Sequence, residues 1–247
     1  MSSDSDDVAS GRTVWITGAG SGMGRAAAIL AGRAGWNVAL SGRRAAALEE
    51  TAAEIEDAGG HAIVVPLDVQ DAAAVKSAAA TVLGRWQRID AVVLAAGLNT
   101  PKRSWADQVL EEFDAVVATN LTAPAHVIQA ALPALRETGG VIVIVSSFSA
   151  WTYSPMAGVA YGASKTALST LSRTINTQEA AFGVRACHLC PGDVDTEFLA
   201  LRPEVPSAEA RERMLDPFDI GRVIQFVLDS PAHVRLDELV VSPVSQT

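Results

Sequence analysis

Several segments of this chain are apolar at every position rather than at every second one: TVWIT at 13–17, AVVLAA at 91–96, VIVIVS at 141–146. A strand with one face in water alternates, whereas a strand apolar throughout is buried on both faces, which requires a parallel sheet covered by helices on either side. Shorter runs of the same kind occur at 37–40, 62–67, 184–189 and 239–241, giving about seven strands. Between them lie alanine-rich stretches of helical period, at 24–34, 44–58, 71–86, 105–136, 159–182 and 219–228. Strand–helix alternation with right-handed crossovers predicts one α/β domain, a doubly wound parallel sheet of Rossmann-like type. No repeat or linker divides it, so residues 11–247 read as a single domain. Residues 1–10 read as a disordered acidic lead.

Composition narrows the function classes. Of 247 residues, 49% are hydrophobic, enough for a large core, and 19 Lys plus Arg against 28 Asp plus Glu leave a net charge of −9. That field repels nucleic acid and anionic lipid, so neither is an expected partner. No apolar run approaches the length that spans a bilayer, and the lead lacks the basic and apolar regions of a secretory signal. Cys187 and Cys190 sit in an apolar strand, where residues three apart point to opposite faces, so they read as buried and inert. The histidines at 61, 126, 188 and 233 form no metal-spaced pair, and no metal is expected. A reduced, soluble, cytoplasmic protein is the expectation.

Chemistry begins at the first strand-to-helix junction, Thr17-Gly18-Ala19-Gly20-Ser21-Gly22-Met23-Gly24. Glycines there let the backbone approach a diphosphate closely, and the helix start offers free N–H groups and partial positive charge. The spacing is GxxxGxG, and no Lys-Ser/Thr follows, which excludes the NTPase phosphate loop. A dinucleotide is therefore the expected cofactor. The second strand ends Leu40-Ser41-Gly42-Arg43-Arg44. An NAD-binding domain wants an acid here for the ribose 2′-hydroxyl, whereas a guanidinium suits a 2′-phosphate. NADP(H) is expected over NAD(H), although Arg43 and Arg44 are also compatible with plain solvated residues at a helix start.

Tyr161 and Lys165 lie four apart on a helical stretch, in a chain with only two tyrosines. At that spacing they share a face. A cation about 4 Å from a phenol, at an effective dielectric near 20, favours phenolate by about 4 kcal/mol, or roughly three pKa units. The expectation is a tyrosine brought near neutrality as a proton-transfer group.

With TGAGSGMG at 17–24, Asp68-Val69, Asn120 in TNL, Ser146-Ser147, YGASK at 161–165 and PGDVDT at 191–196, the chain resembles the short-chain dehydrogenase/reductase family in its roughly 250-residue branch. The resemblance covers nearly all of the chain after residue 10. It implies an oxidoreductase interconverting a secondary alcohol or hydroxy acid and a carbonyl. Tyr161 would be the acid/base, Lys165 would lower its pKa and hold the nicotinamide ribose, and Ser147, with Ser149 as runner-up, would bond the substrate oxygen. Ser147 is one residue further from Tyr161 than is usual in the family. Asn120 would hold a proton-relay water, or be only a polar residue inside a helix. Thr17, Gly18, Ser21, Gly22, Met23, Gly24, Arg43, Asp68, Val69, Gly97, Pro191, Gly192, Val194 and Thr196 would contact the cofactor. Asp68 alternatively caps the helix near Asp71, and Thr196 would meet the carboxamide. The helices at 105–136 and 159–182 would pair across a two-fold axis, making a homodimer or homotetramer.

The chain departs from the family in two places. The usual Asn-Asn-Ala-Gly appears as Leu94-Ala95-Ala96-Gly97, and the glycine-rich ending is replaced by a tail at 234–243 similar to that of NADP-dependent hydroxy-acid and serine-type dehydrogenases. An epimerase of the extended branch needs a further domain that this length does not hold. A catalytically silent nucleotide sensor is the other reading. Trp151, Tyr153 and Met156 are expected to wall a pocket for a moderately apolar substrate, under a mobile lid at 198–217.

Overall fold

Buried, uniformly apolar strands pair in parallel, and the computed structural model, which describes residues 11–246, has this architecture throughout. The acidic lead at 1–10 lies outside the described residues. The strands are β1 (Thr13–Thr17), β2 (Asn37–Ser41), β3 (His61–Val64), β4 (Ala91–Leu94), β5 (Val141–Val145), β6 (Arg185–Pro191) and β7 (Glu238–Val241). They form one seven-stranded sheet in the order β3-β2-β1-β4-β5-β6-β7, with every pair parallel. The helices are α1 (Gly22–Arg33), α2 (Ala45–Asp57), α3 (Ala72–Trp86), α4 (Leu110–Val117), α5 (Ala123–Thr138), α6 (Phe148–Trp151), α7 (Val159–Gln178), α8 (Ala208–Arg211) and α9 (Pro217–Asp229).

The two core layers explain the continuous apolar runs. Val14 and Ile16, Ala91 and Val93, and Val141, Val143 and Val145 join α1, α2 and α9 on one face. Trp15, Val92 and Leu94, and Ile142 and Ile144 join α3, α5 and α7 on the other. Burying each large aliphatic side chain contributes about 1.5–3 kcal/mol, so a polar residue at either parity in these strands would be costly.

Element boundaries differ from the sequence reading in instructive ways. β3 and β4 stop short of residues 67 and 96, where Leu67, still bonded through its N–H to Gly42 O, and Ala95 and Ala96 line a cleft. The helix expected at 105–136 starts at Leu110, runs to Thr138 and is interrupted by one π turn at Ala118–Thr122. By length and composition Leu110–Thr138 could cross a bilayer, but Val116, Val127, Ile128, Ala131 and Leu135 are buried against the rest of the fold. α9 starts at Pro217 rather than Asp219, because Asp216 and Asp219 form a capping box around its first turn. The expected lid at 198–217 contains a 3-10 turn at Glu197–Leu201 and α8.

Strand order reverses between β1 and β4. Their carboxyl ends diverge there into a crevice, the place where doubly wound sheets bind ligands.

Candidate active site

The crevice opens into a cleft of about 910 Å³ along the carboxyl ends of β1, β4, β5 and β6. At one end is the glycine turn. Gly18 has φ +69°, and a Cβ there would lie 2.7 Å from Ala96 N; a Cβ on Gly24 would lie 2.3 Å from Gly18 O. Larger residues would push α1 off the sheet. α1 has no acid in its first turn, and its N-cap Ser21 makes no side-chain capping bond. Its positive end is therefore left to an anion at the cleft, which suits a dinucleotide diphosphate. Opposite it stands Thr196: a Cβ on Gly22 would meet Thr196 Cγ2 at 3.2 Å.

Ser41 is withdrawn from the cleft, accepting from Trp15 Nε1 at 2.9 Å and donating to Val65 O at 2.9 Å. Gly42, Arg43 and Arg44 line the cleft beyond it. Arg44 reaches Glu197 at 3.2 Å in an exposed pair, while Arg43 is exposed and enters no ion pair among the described residues. Asp68 accepts from Gln70 N at 3.0 Å, and the cap of α3 is Asp71, which accepts from Ala73 N and Ala74 N. Asp68 therefore is not the cap, and it lines the cleft with Val69. Gly97, Pro191, Gly192, Val194 and Met23 line it too. Gln246 closes the wall beside Gly192, its Oε1 accepting from Asp193 N at 2.8 Å.

Two expected site residues do not line the cleft. Thr17 is buried with its Oγ1 within 3.4 Å of both Val93 O and Ala96 N. Its hydroxyl ties β1 to β4 where Leu94-Ala95 replaces the family's asparagines. Asn120 sits in the π turn with its carboxamide committed: Oδ1 accepts from Leu98 N at 2.8 Å, and Nδ2 donates to Leu98 O at 2.8 Å and to Ser164 Oγ at 3.2 Å. It nevertheless lies close to Lys165, since a Cβ on Gly97 would lie 3.7 Å from Asn120 Oδ1 and 3.8 Å from Lys165 Nζ.

The other end of the cleft holds Ser147, Tyr161 and Lys165. Helix α7 is clamped to the sheet by Asn176, which exchanges bonds with Ala186 N and O, and by Ser146 Oγ to Lys165 O at 3.0 Å. That clamp fixes Tyr161 in the first turn. Ser147 begins α6 at the end of β5, accepting from Ser149 N at 3.2 Å and from Ser149 Oγ at 3.1 Å. Lys165 is buried, with Nζ donating to Val145 O at 2.8 Å and standing 5.7 Å from the Tyr161 ring centre.

The electrostatics correct the sequence arithmetic. Burial raises the Tyr161 pKa above 10.0, opposed by a hydrogen bond from Ser147 and by the positive fields of Arg103 and Arg202. Lys165 is not among the groups that lower it, because burial depresses its own pKa so far that it is neutral before the phenol titrates. Burial depresses the Lys165 pKa to about 8, with a small opposing effect of Cys190.

The substrate end also differs from expectation. Met156 lines the cleft, but Trp151 and Tyr153 do not and are 54% and 87% exposed. Their places are taken by Phe148 and by Phe198, whose ring lies 6.1 Å from that of Tyr161. The segment expected as a free lid is tied down: Arg202 pairs with Asp193, Arg211 with Asp195 at 2.6 Å, and Leu215 exchanges backbone bonds with Asp193 and Asp195. Arg103 and Arg202 both line the cleft and were not singled out by sequence. The only sequence signal was their basic charge in loops, which by itself means solvation.

His188 is not isolated. Its Nδ1 lies 2.9 Å from Glu238 Oε2 and 3.5 Å from Cys190 Sγ, and the three could offer ligand atoms within 4.8 Å of one another. Burial pushes the thiols of Cys187 and Cys190 up to about 12, which keeps them protonated.

The profile of the short chain dehydrogenase family matches residues 12–205. The chain belongs to this family. Among curated short-chain dehydrogenase relatives, sulfoacetaldehyde reductase 2 of Chromohalobacter salexigens is 34% identical over 242 residues, covering 94% of each chain. Serine 3-dehydrogenase of Rhizobium radiobacter is 32% identical over 241 residues, covering 95% of each. Of solved short-chain dehydrogenase structures, an alcohol dehydrogenase of Thermococcus sibiricus complexed with 5-hydroxy-NADP superposes with a TM-score of 0.87 at 32% identity, over 96% of this chain and 98% of that one. The closed form of a serine dehydrogenase with NADP+ gives 0.85 at 28% identity, over 95% and 96%.

Proposed function

We propose that this short-chain dehydrogenase is an NADP(H)-dependent enzyme interconverting an alcohol or hydroxy acid and its carbonyl, with Tyr161 as proton-transfer residue. One observation carries the reading: a single cleft has the open α1 N-terminus and Arg43 at one end and Ser147, Tyr161 and Lys165 at the other. When bound, the nicotinamide cofactor supplies hydride exchange with the substrate carbon. The diphosphate is held by Gly18, Ser21, Gly22, Met23 and Gly24, the adenine side by Asp68 and Val69, and the nicotinamide side by Gly97, Pro191, Gly192, Val194 and Thr196.

In the reductive direction Ser147 donates to the substrate oxygen, and Tyr161 gives that oxygen its proton as negative charge develops there. Lys165, fixed by Val145 O, holds the ribose and returns the proton, while Asn120 positions the loop at Leu98 beside it. Support comes from relatives named for reducing sulfoacetaldehyde and for dehydrogenating serine, and from neighbours crystallised with NADP.

The test is consumption of NADPH and of NADH with a panel of carbonyl compounds. Tyr161→Phe should lower turnover at least 10²–10⁴-fold, as general acid loss does, with NADPH binding kept. Arg43→Ala should narrow the NADPH preference by about 10- to 150-fold, the worth of a charge-assisted bond. Turnover unchanged in Tyr161→Phe overturns the mechanism; equal kcat/KM for the two cofactors overturns the cofactor assignment.

A further inference from the structure

The cleft wall beside Tyr161 contains a cation whose charge no carboxylate among the described residues answers. Arg103 lies in the loop between β4 and α4, half-buried, and lines the cleft with Tyr161, Ser147 and Phe198. Its Nε donates to Thr100 O at 2.8 Å, its Nη1 to Met156 O at 3.2 Å and its Nη2 to Leu201 O. These acceptors are neutral carbonyls, and they occupy three of the five N–H bonds of a guanidinium. No carboxylate pairs with Arg103 among the described residues. Arg202, which lines the same wall, is answered by Asp193.

The position is built rather than incidental. Val159 N donates to Arg103 O at 3.0 Å, and Asn99 Nδ2 donates to Ala157 O at 3.1 Å, so this loop is strapped to the turn that launches α7. Gly158, at φ +89°, has no room for a side chain: a Cβ there would lie 2.4 Å from Arg103 Cβ. The arginine stem thus packs against the turn three residues before Tyr161, and three carbonyls aim its head.

We propose that Arg103 makes the substrate end of the cleft an anion receptor, so that the substrate carries a carboxylate or sulfonate close to its reacting carbon. This rests on the oxidoreductase reading above and adds the substrate class to it. A half-buried guanidinium without an acid is costly, and a bound oxyanion offsets that cost with charge-assisted bonds that a neutral ligand cannot make. Its pKa is lowered by burial and by repulsion from Arg202, and both arginines favour the Tyr161 phenolate, so their field reaches the reacting end. The acids nearby do not cancel it: Asp193 is paired with Arg202, Glu197 with Arg44, and Glu204 lies exposed on the rim. Phe148, Met156 and Phe198 supply the apolar remainder of the wall, which favours a short chain between anion and carbonyl.

The experiment measures binding, so that it does not depend on turnover. Full-length Tyr161→Phe protein loaded with NADP+ is titrated with ω-hydroxy acids of increasing chain length and with the matching amides. The expected result is that at least one acid binds about 10- to 100-fold more tightly than its amide, within the range of a charge-assisted bond. Arg103→Met in the same background should collapse that ratio towards one, and Arg103→Lys, which keeps charge but not the fork, should leave an intermediate ratio. If no acid outbinds its amide, or if the ratio survives in both variants, the proposal is overturned. Failure of the oxidoreductase reading appears separately: selective acid binding with no NADP+ reduction by Tyr161-containing enzyme on any hydroxy compound would leave the receptor and remove the reaction.

Discussion

Burying an ammonium disfavours its charged form, and Lys165 shows the consequence as a trade between stability and chemistry. Its pKa in the fold is about 8, against 10.5 for an ordinary lysine. Below about 8 the folded chain bears the full cost of the buried charge, on the order of 3 kcal/mol from the size of that shift. Between 8 and 10.5 the unfolded chain holds the proton that the folded chain has lost, so stability rises with pH across this window. Lys165→Met should therefore melt higher than the wild type at neutral pH, with the gap closing as pH climbs through that window, while activity is lost. Lower melting at every pH would mean that the bond to Val145 O outweighs desolvation. Tyr161 moves the other way, its pKa raised by burial, so oxidation of an alcohol, which needs the phenolate, should gain kcat/KM as pH rises above neutrality. The Tyr161–Lys165 pairing was legible from its helical spacing. The direction of the tyrosine shift was not, because it depends on burial and on two arginines from loops distant in sequence.

At the scale of elements, the π turn at Ala118–Thr122 matters most. One extra residue in the turn bulges the helix, as is common at functional sites, and it places Asn120 where its amide spans Leu98. Asn120→Ala would leave both Leu98 main-chain groups without partners, at about 1–3 kcal/mol each. Thermal unfolding of that variant should come many degrees lower, and residual activity should fall along with it. An unchanged melting temperature would show that the clamp carries no stability. Periodicity cannot reveal such a bulge, since TNL reads as ordinary helix. In the same way Pro217 looked like loop until Asp216 and Asp219 were seen to close a box around it. The strands β1, β4 and β5 were legible because both their faces are buried; the end of β4 was overrun because Ala95 and Ala96 continue past the last rung to line the cleft.

At the scale of the whole molecule, the outer faces of α4–α5 and α7 are the surface most suited to self-association. Several exposed positions there are small or flat, among them Ala125, Pro133, Ala163 and Thr170, and Glu112 Oε2 and His126 Nδ1 are buried without a hydrogen-bond partner among the described residues. A two-fold pairing of these helices would cover both features. Light scattering at micromolar concentration should give a dimer or tetramer mass, and Thr170→Arg should lower it. A monomeric wild type would contradict the expectation.

The position of Gln246 in the cleft wall has a practical corollary for anyone handling the protein. Gln246 stands in the cleft wall beside Asp193 and Gly192, so bulk attached at that position would crowd the cleft. Gly11, by contrast, lies just ahead of the interior strand β1, at the amino ends of the strands, whereas the cleft lies along their carboxyl ends. Immobilisation chemistry and fluorescent reporters therefore belong on the face at the amino ends of the strands, near Gly11, away from the cleft.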